Sequence, residues 1–329
     1  MKQVLIASGV TLMIAAGCAT ACFAGASMPD TISPPKGLNL GSTSFYDGFG
    51  RESEGWSLIE YDRYETLNSI NGVAGSPNPD FKGTRIDVAV ALTQLIYTSD
   101  WEPLGGHFAF SAALPIIDFA RSSFSRNSPV ALNNNGTGIG DLIWGPIFQS
   151  KVYMDGSRPM FVWRAQLIIS SPTGNLNSAR SINQGVGYWA INPYIAFTFL
   201  PLPDVEFSNR FNYQFNCEGS DFSNPPPIPH LVYRNGQGGQ IIYDNFAASF
   251  AIAPEASLGM DGYILDQLTP DRTNGVNISK SLETEVYTGP GAHFAITDSD
   301  WLNVNSYFKL VSNNAVSGPQ YNLQFIHRF

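Results

Sequence analysis

The sequence predicts an all-β fold: a transmembrane antiparallel up-and-down β-barrel of about twelve strands, of the outer-membrane type. Three observations predict it. The chain closes on a period-two strand in which Tyr321, Leu323, Phe325 and Phe329 alternate with Gln320, Asn322, Gln324 and Arg328, with only His327 breaking the apolar row, and the last residue is aromatic. The composition is 43% hydrophobic and 13% aromatic but only 14% charged, where an ordinary globular domain is about 25% charged. The connections between candidate strands alternate long and short, as outer loops and periplasmic turns do in such barrels.

At the N-terminus, Lys2 precedes a long apolar stretch over 4–24, and Ala24 and Ala26 follow in a small-residue setting. This is the pattern of a secretory signal peptide over 1–26, with cleavage after Ala24 or Ala26. Ala15-Ala16-Gly17-Cys18 is only loosely like a lipoprotein box, because Ala stands three residues before the Cys where Leu is expected. Removing the leader leaves Cys217 alone, without an internal disulfide partner or a metal-ligand spacing. Residues 27–55 form a periplasmic tail, a lumenal plug or an extra strand; the short, Gly-interrupted stretch 39–46 favours a segment outside the wall. Residues 56–329 then form the barrel.

After the leader no apolar run approaches the ~18 residues of a membrane helix. Apolar residues fall at alternate positions instead. In the clearest strand Val205, Phe207, Phe211, Tyr213 and Phe215 oppose Glu206, Ser208, Arg210, Asn212 and Gln214. A barrel turns the first set to lipid and the second to the lumen. On the same rule Ile86, Val88, Val90, Leu92 and Ile96 oppose Arg85, Asp87, Thr93 and Tyr97. Phe108, Phe110, Ala112, Leu114 and Ile116 oppose His107, Ala109 and Ser111. Phe161, Trp163, Ala165, Leu167 and Ile169 oppose Arg164 and Gln166, and Leu302, Val304, Phe308 and Leu310 oppose Asn303, Asn305 and Lys309. The stretch 139–152 is apolar on both faces, which leaves its register open.

These patterns place strands near 56–66, 84–98, 105–118, 139–153, 159–171, 187–199, 204–217, 241–253, 256–266, 281–296, 301–312 and 319–329. The long connections, rich in Asn, Ser, Gly and Pro, include Asn133-Asn134-Asn135-Gly136 and the triple proline Pro225-Pro226-Pro227. The short ones carry turn residues such as Asp155-Gly156. An even strand number puts both chain ends on the short-turn side.

Candidate chemistry is sparse. None of His107, His230, His293 and His327 has the spacing of a metal site, and no catalytic, cofactor or metal residues are assigned. Gly136-Thr137-Gly138-Ile139-Gly140 lacks the Lys and the helix of a phosphate loop and reads as a strand-entry turn. There is no Gly-x-Ser-x-Gly elbow. The net charge of −9 argues against a nucleic-acid partner. The expected lumen-lining set is Arg85, Asp87, Arg164, Gln166, Glu206, Arg210, Asn212, Gln214, Glu283, Glu285, Asn303, Asn305 and Lys309. Its mixed signs fit either a closing salt-bridge lattice or a narrow selective pore. Trp56, Trp101, Trp144, Trp189 and Trp301, with Tyr153, Tyr188, Tyr263 and Tyr307, are candidates for interfacial girdles.

Gly138-Ile139-Gly140-Asp141 resembles the Gly-x-Gly-Asp strand-start block of the barrel family known as MetA-pathway of phenol degradation. Ser171-Pro172-Thr173-Gly174 resembles its Pro-x-Gly block, Gln184-Gly185-Val186-Gly187 its Gly-rich approach to the next strand, and Gly259-Met260-Asp261-Gly262 and Gln267-Leu268-Thr269-Pro270-Asp271 its C-terminal half. The resemblance spans roughly 55–329; Pro270 stands where the family pattern has Asp. It marks Gly138, Gly140, Asp141, Gly174, Gln267 and Asp271 as family-motif residues, and it implies a transporter-like outer-membrane protein associated with degradation of phenols and other aromatics.

The resulting expectation is a non-enzymatic, porin-like channel in the bacterial outer membrane for passive passage of small hydrophobic or aromatic compounds. Its partners would be outer-membrane lipid, the barrel-assembly machinery through the strand ending in Phe329, and the transported small molecule. The alternative from another class is a closed structural or interaction barrel acting through its outer loops; a third is an outer-membrane enzyme.

Overall fold

The computed structural model describes residues 40–123, 133–177, 180, 182–221 and 232–329, without the side chains of 80 and 121–123. The expected signal peptide, the first part of the 27–55 segment, the triple proline and His230 lie outside the described residues.

Twelve antiparallel strands form one closed wall. They are β1 (Gly55–Leu67), β2 (Arg85–Thr98), β3 (His107–Ser123), β4 (Leu142–Gln149), β5 (Arg158–Ser171), β6 (Ala190–Leu202), β7 (Val205–Asn216), β8 (Ile241–Ala253), β9 (Ala256–Gln267), β10 (Thr284–Ala295), β11 (Asp300–Asn313) and β12 (Gln320–Arg328). Each pairs with the next, and β1 closes on β12 from Ser57 opposite Arg328 to Glu65 opposite Gln320. Closure removes the unpaired strand edges that a bilayer cannot satisfy. The start of β1, the end of β12 and the short turns share one rim, which outer-membrane barrels place in the periplasm.

The expected strand over 139–153 is shorter than its pattern. It divides into Thr137–Ile139, β4 and Tyr153–Asp155; at the first break the Asp141 carboxylate accepts hydrogen bonds from the Gly174 and Val186 N–H groups of another loop. Within β4 the open register resolves with Ile143, Ile147 and Gln149 buried inward and Trp144 and Phe148 on the other face.

β7 follows the polar-in rule: Glu206, Ser208, Arg210, Asn212 and Gln214 are buried, while Phe207, Phe211 and Phe215 are exposed on the outer wall. β2 reverses it. Its pairing with β1 sets Ile96 opposite Ser57, Leu92 opposite Tyr61 and Val90 opposite Arg63. Tyr61 and Arg63 point inward, so Val88, Val90, Leu92 and Ile96 line the lumen, and Thr93 and Tyr97 lie outside. Arg85 and Asp87 follow them onto the outer face, paired with each other at 2.9 Å, and are not lumenal. The alternation in β2 was genuine; the assignment of its faces failed because this part of the lumen is itself apolar.

Candidate functional site

Residues 40–54 run through the lumen and bind its polar side. The Gly41 N–H donates to Asn245 Oδ1 at 2.8 Å, and the Gly41 carbonyl accepts from Asn322 Nδ2 at 2.8 Å. Ser44 Oγ donates to Asp261 Oδ2 at 2.7 Å and accepts from Asn305. The Tyr46 N–H donates to Glu206, whose carboxylate also accepts from Ser208 and Ser249. The Gly48 N–H donates to Thr198 Oγ1 at 2.9 Å, and Gln149 donates to its carbonyl. A segment without regular structure inside a barrel must have its backbone groups satisfied, which explains why the facing strands carry so many amides and hydroxyls. Gly48 lies flat on the wall: a Cβ there would stand 2.4 Å from the Thr198 backbone nitrogen. Phe45 presses on the wall where Gly259 and Gly291 leave room for its ring.

At the centre, Asp47 holds two guanidinium groups. Its Oδ1 accepts from Arg164 Nη2 at 3.0 Å and from Arg210 Nη2 at 2.5 Å, and its Oδ2 from Arg210 Nε at 2.8 Å. All three side chains are more than nine-tenths buried. The Tyr194 ring lies 4.3 Å under the Arg210 guanidinium. Two charges against one leave a net positive centre.

Beside this centre the lumen wall is apolar. Ile59, Tyr61, Ile96, Ala109 and Ile147 form one cluster with Leu92 and Ile326. Towards the outer rim a second cluster continues the same side: Ile86, Val88, Ile117 and Phe119, with Val90, Ile182 and Val316. Ile59, Ile96, Ala109, Ile147 and Ile326 form one flank of a vestibule of about 700 Å³, whose other lining residues include Phe45, Phe49, Arg164, Trp301 and Arg328. The turns at 203–204 and 251–256 border it, so it faces the periplasmic rim. Such a volume suits a small molecule. Above it the space narrows to a void of about 30 Å³ lined by Tyr61, Leu92, Arg164, Tyr194 and Arg210, roughly one water's share of liquid volume.

Of the expected lumen-lining residues, Arg164, Gln166, Glu206, Arg210, Asn212, Gln214, Asn303 and Asn305 are buried on the inward faces of β5, β7 and β11, and Glu285 on β10 accepts from Tyr263 at 3.2 Å. Glu283 is buried just before β10. Lys309 shares the Tyr307 face and reaches Ser317 at 3.2 Å, with much of its side chain exposed. Arg85 and Asp87 are the exceptions already described. What the sequence reading missed is the apolar flank, along with Asp47. Trp56, Trp101, Trp189 and Tyr153 are exposed near the rims, but Tyr188, Tyr263 and Tyr307 are fully buried. Tyr263 stacks on Tyr287 at 5.0 Å inside the barrel; these tyrosines fill lumen rather than form a girdle.

The family-motif residues tie the outer loops together. Asp141 Oδ1 accepts from the Gly174 N–H at 2.9 Å and Oδ2 from the Val186 N–H at 3.0 Å. Burial raises the pKa of this carboxyl, against the smaller lowering by the N–H groups of Gly174, Val186 and Thr173. Gly174 abuts Gly140 and Gly185 too closely for a side chain, and Gly138 packs under Asn175, whose Oδ1 accepts from the Ile139 N–H. Asp271 Oδ1 accepts from Gln267 Nε2 at 2.9 Å and from the Gly239 N–H at 2.8 Å. The Thr269 carbonyl beside Pro270 also accepts from Gln267. Among the described residues no group of three or more His, Cys, Asp or Glu is arranged to hold a metal.

Comparison with solved structures places the fold. The COG4313 outer membrane channel from Pseudomonas putida F1 is 15% identical, with 86% of this chain and 98% of that one covered at a TM-score of 0.71. More distant are the Pseudomonas putida toluene transporter TodX, 8% identical over 92% of this chain and 96% of that one at a TM-score of 0.43, and the NanC porin, 11% identical over 82% and 100% at 0.41. No functionally curated protein matches the sequence. The barrel is of the bacterial outer-membrane type. The sequence family described as "Putative MetA-pathway of phenol degradation" matches residues 68–325, and the chain belongs to that family.

Proposed function

We propose that the protein is an outer-membrane channel for passive passage of small hydrophobic or aromatic compounds, and not an enzyme. The observation that carries this reading is the apolar flank of the lumen, which runs from Phe119 and Ile117 through Leu92 and Ile96 to a vestibule of about 700 Å³. Outer-membrane barrels otherwise keep a polar interior. Where this stripe borders the vestibule it offers an apolar solute ~25 cal/mol per Å² of surface buried, while towards the outer rim Ile182 and Val316 pack over it. Membership of a phenol-degradation family supports aromatic compounds as the class carried. Residues 40–54 act as the lumenal element that narrows the path, and the 56–329 barrel is the wall. The strand ending in Phe329 is the segment offered to the assembly machinery.

The test is the initial uptake of radiolabelled naphthalene by a deletion strain and by the same strain carrying the gene. The complemented strain is expected to take it up faster. Equal rates, in cells shown to contain folded barrel by its heat-dependent gel mobility, would favour a closed structural barrel instead.

A further inference from the structure

We propose that the head of the periplasmic vestibule is a binding site for the carboxylate of a small apolar monoacid, with the acid's apolar part against Ile59, Ile96 and Ile147. This deepens the channel reading and rests on it. Arg164 and Arg210 share the single carboxylate of Asp47, so the two guanidinium groups have one ion-pair partner between them among the described residues. The orphaned donor can be located. Arg164 is 7% exposed, and its Nε is buried without a hydrogen-bond partner among the described residues, while its Nη2 is engaged by Asp47. A buried donor on a charged group without an acceptor is costly, and an anion would relieve both the missing bond and the excess charge.

Position and shape select the anion. Arg164, Ile59 and Ile96 line both the vestibule and the small void above it, so the charged head and the apolar flank are contiguous. One unit of charge is in excess, which suits a monoanion; a phosphate dianion would bring a second, unpaired charge against isoleucines. A second guanidinium, that of Arg328, lies lower in the vestibule, 4.5 Å from the Trp301 ring, and favours entry of an anion. The acidic lining residues Asp204 and Glu255 sit on the exposed turns at the open end. Glu206 is already occupied by Ser208, Ser249 and the Tyr46 N–H.

The experiment is calorimetric titration of the full protein in lipid nanodiscs with benzoate and with benzamide, its uncharged counterpart. Benzoate is expected to bind at least about tenfold more tightly than benzamide. Arg164→Gln should abolish that difference. Asp47→Asn, which raises the excess charge, should tighten benzoate by about tenfold, a gain that misfolding cannot imitate. Equal binding of the two probes by the native protein, or a benzoate affinity that neither variant changes, would overturn the proposal. Failure of the channel reading would show separately, as absent naphthalene uptake by cells.

Discussion

Viewed from the vestibule, the flank formed by β1 to β4 presents Ile59, Tyr61, Leu92, Ile96, Ala109 and Ile147, whereas the flank formed by β6 to β11 presents Thr198, Glu206, Arg210, Asn245, Asp261 and Asn305. The second flank is covered by the protein's own residues 40–54 and accepts hydrogen bonds from the N–H groups of Gly41, Tyr46 and Gly48. Space on the first is left open as the vestibule. One lumen thus serves two tasks. A polar wall holds an irregular segment in place because every backbone group needs a partner. An apolar wall offers such backbone few partners, and where it borders the vestibule it is free for an apolar guest. Arg164 and Asp47 stand on the boundary between the two.

The largest effect is expected at Asp47. Asp47→Ala leaves two buried guanidinium groups without their carboxylate and should weaken docking of residues 40–54 by about 3–5 kcal/mol. Single-channel conductance in planar bilayers should rise, and protease should nick the segment in folded barrels. On the other flank, Ile147→Asn puts an amide on the apolar wall, at about 1–3 kcal/mol against an apolar solute. Naphthalene uptake should fall about tenfold or more while the gel mobility of the folded form is kept. Gly48→Ala sharpens the polar side: its Cβ would meet the Thr198 backbone at 2.4 Å, so the segment should loosen by about 1–3 kcal/mol, with the same conductance phenotype as Asp47→Ala but weaker. Asp141→Asn exchanges one acceptor for a donor facing an N–H at the outer rim and should lower the unfolding temperature of the barrel by the equivalent of about 1–2 kcal/mol, without affecting either flank. As a control, Glu102→Gln removes the exposed pair with Lys151 and should leave melting and transport unchanged, since surface pairs contribute little.

How far the sequence could be read follows the same division. In β7 the apolar residues face lipid and every polar residue except Asn209 faces the lumen, so the period alone orients the strand. In β2, Ala89 and Ala91 stand on one face and Val90 and Leu92 on the other. Both faces are apolar at mid-strand, so Arg85 and Asp87 near one end misdirect the reading, and only the pairing with β1 orients it. The polar-in rule therefore fails at the flank where the function is proposed to lie. Asp47 was illegible for another reason: it precedes the first strand and finds Arg164 and Arg210 across 117 and 163 residues of chain, a distance no local pattern bridges. The motif glycines are visible as spacing, but their contacts at Gly140, Gly174 and Gly185 join two different connections and meet only in the folded rim.

The most direct test of the central claim, that apolar solutes use the flank of β1 to β4, is naphthalene uptake by a deletion strain carrying either the native gene or an Ile96→Asn, Ile147→Asn double variant, with both barrels shown to be folded. The native gene should restore uptake, and the double variant should reduce it to near the deletion level. Uptake by the double variant equal to that of the native protein would show that apolar solutes do not use this flank.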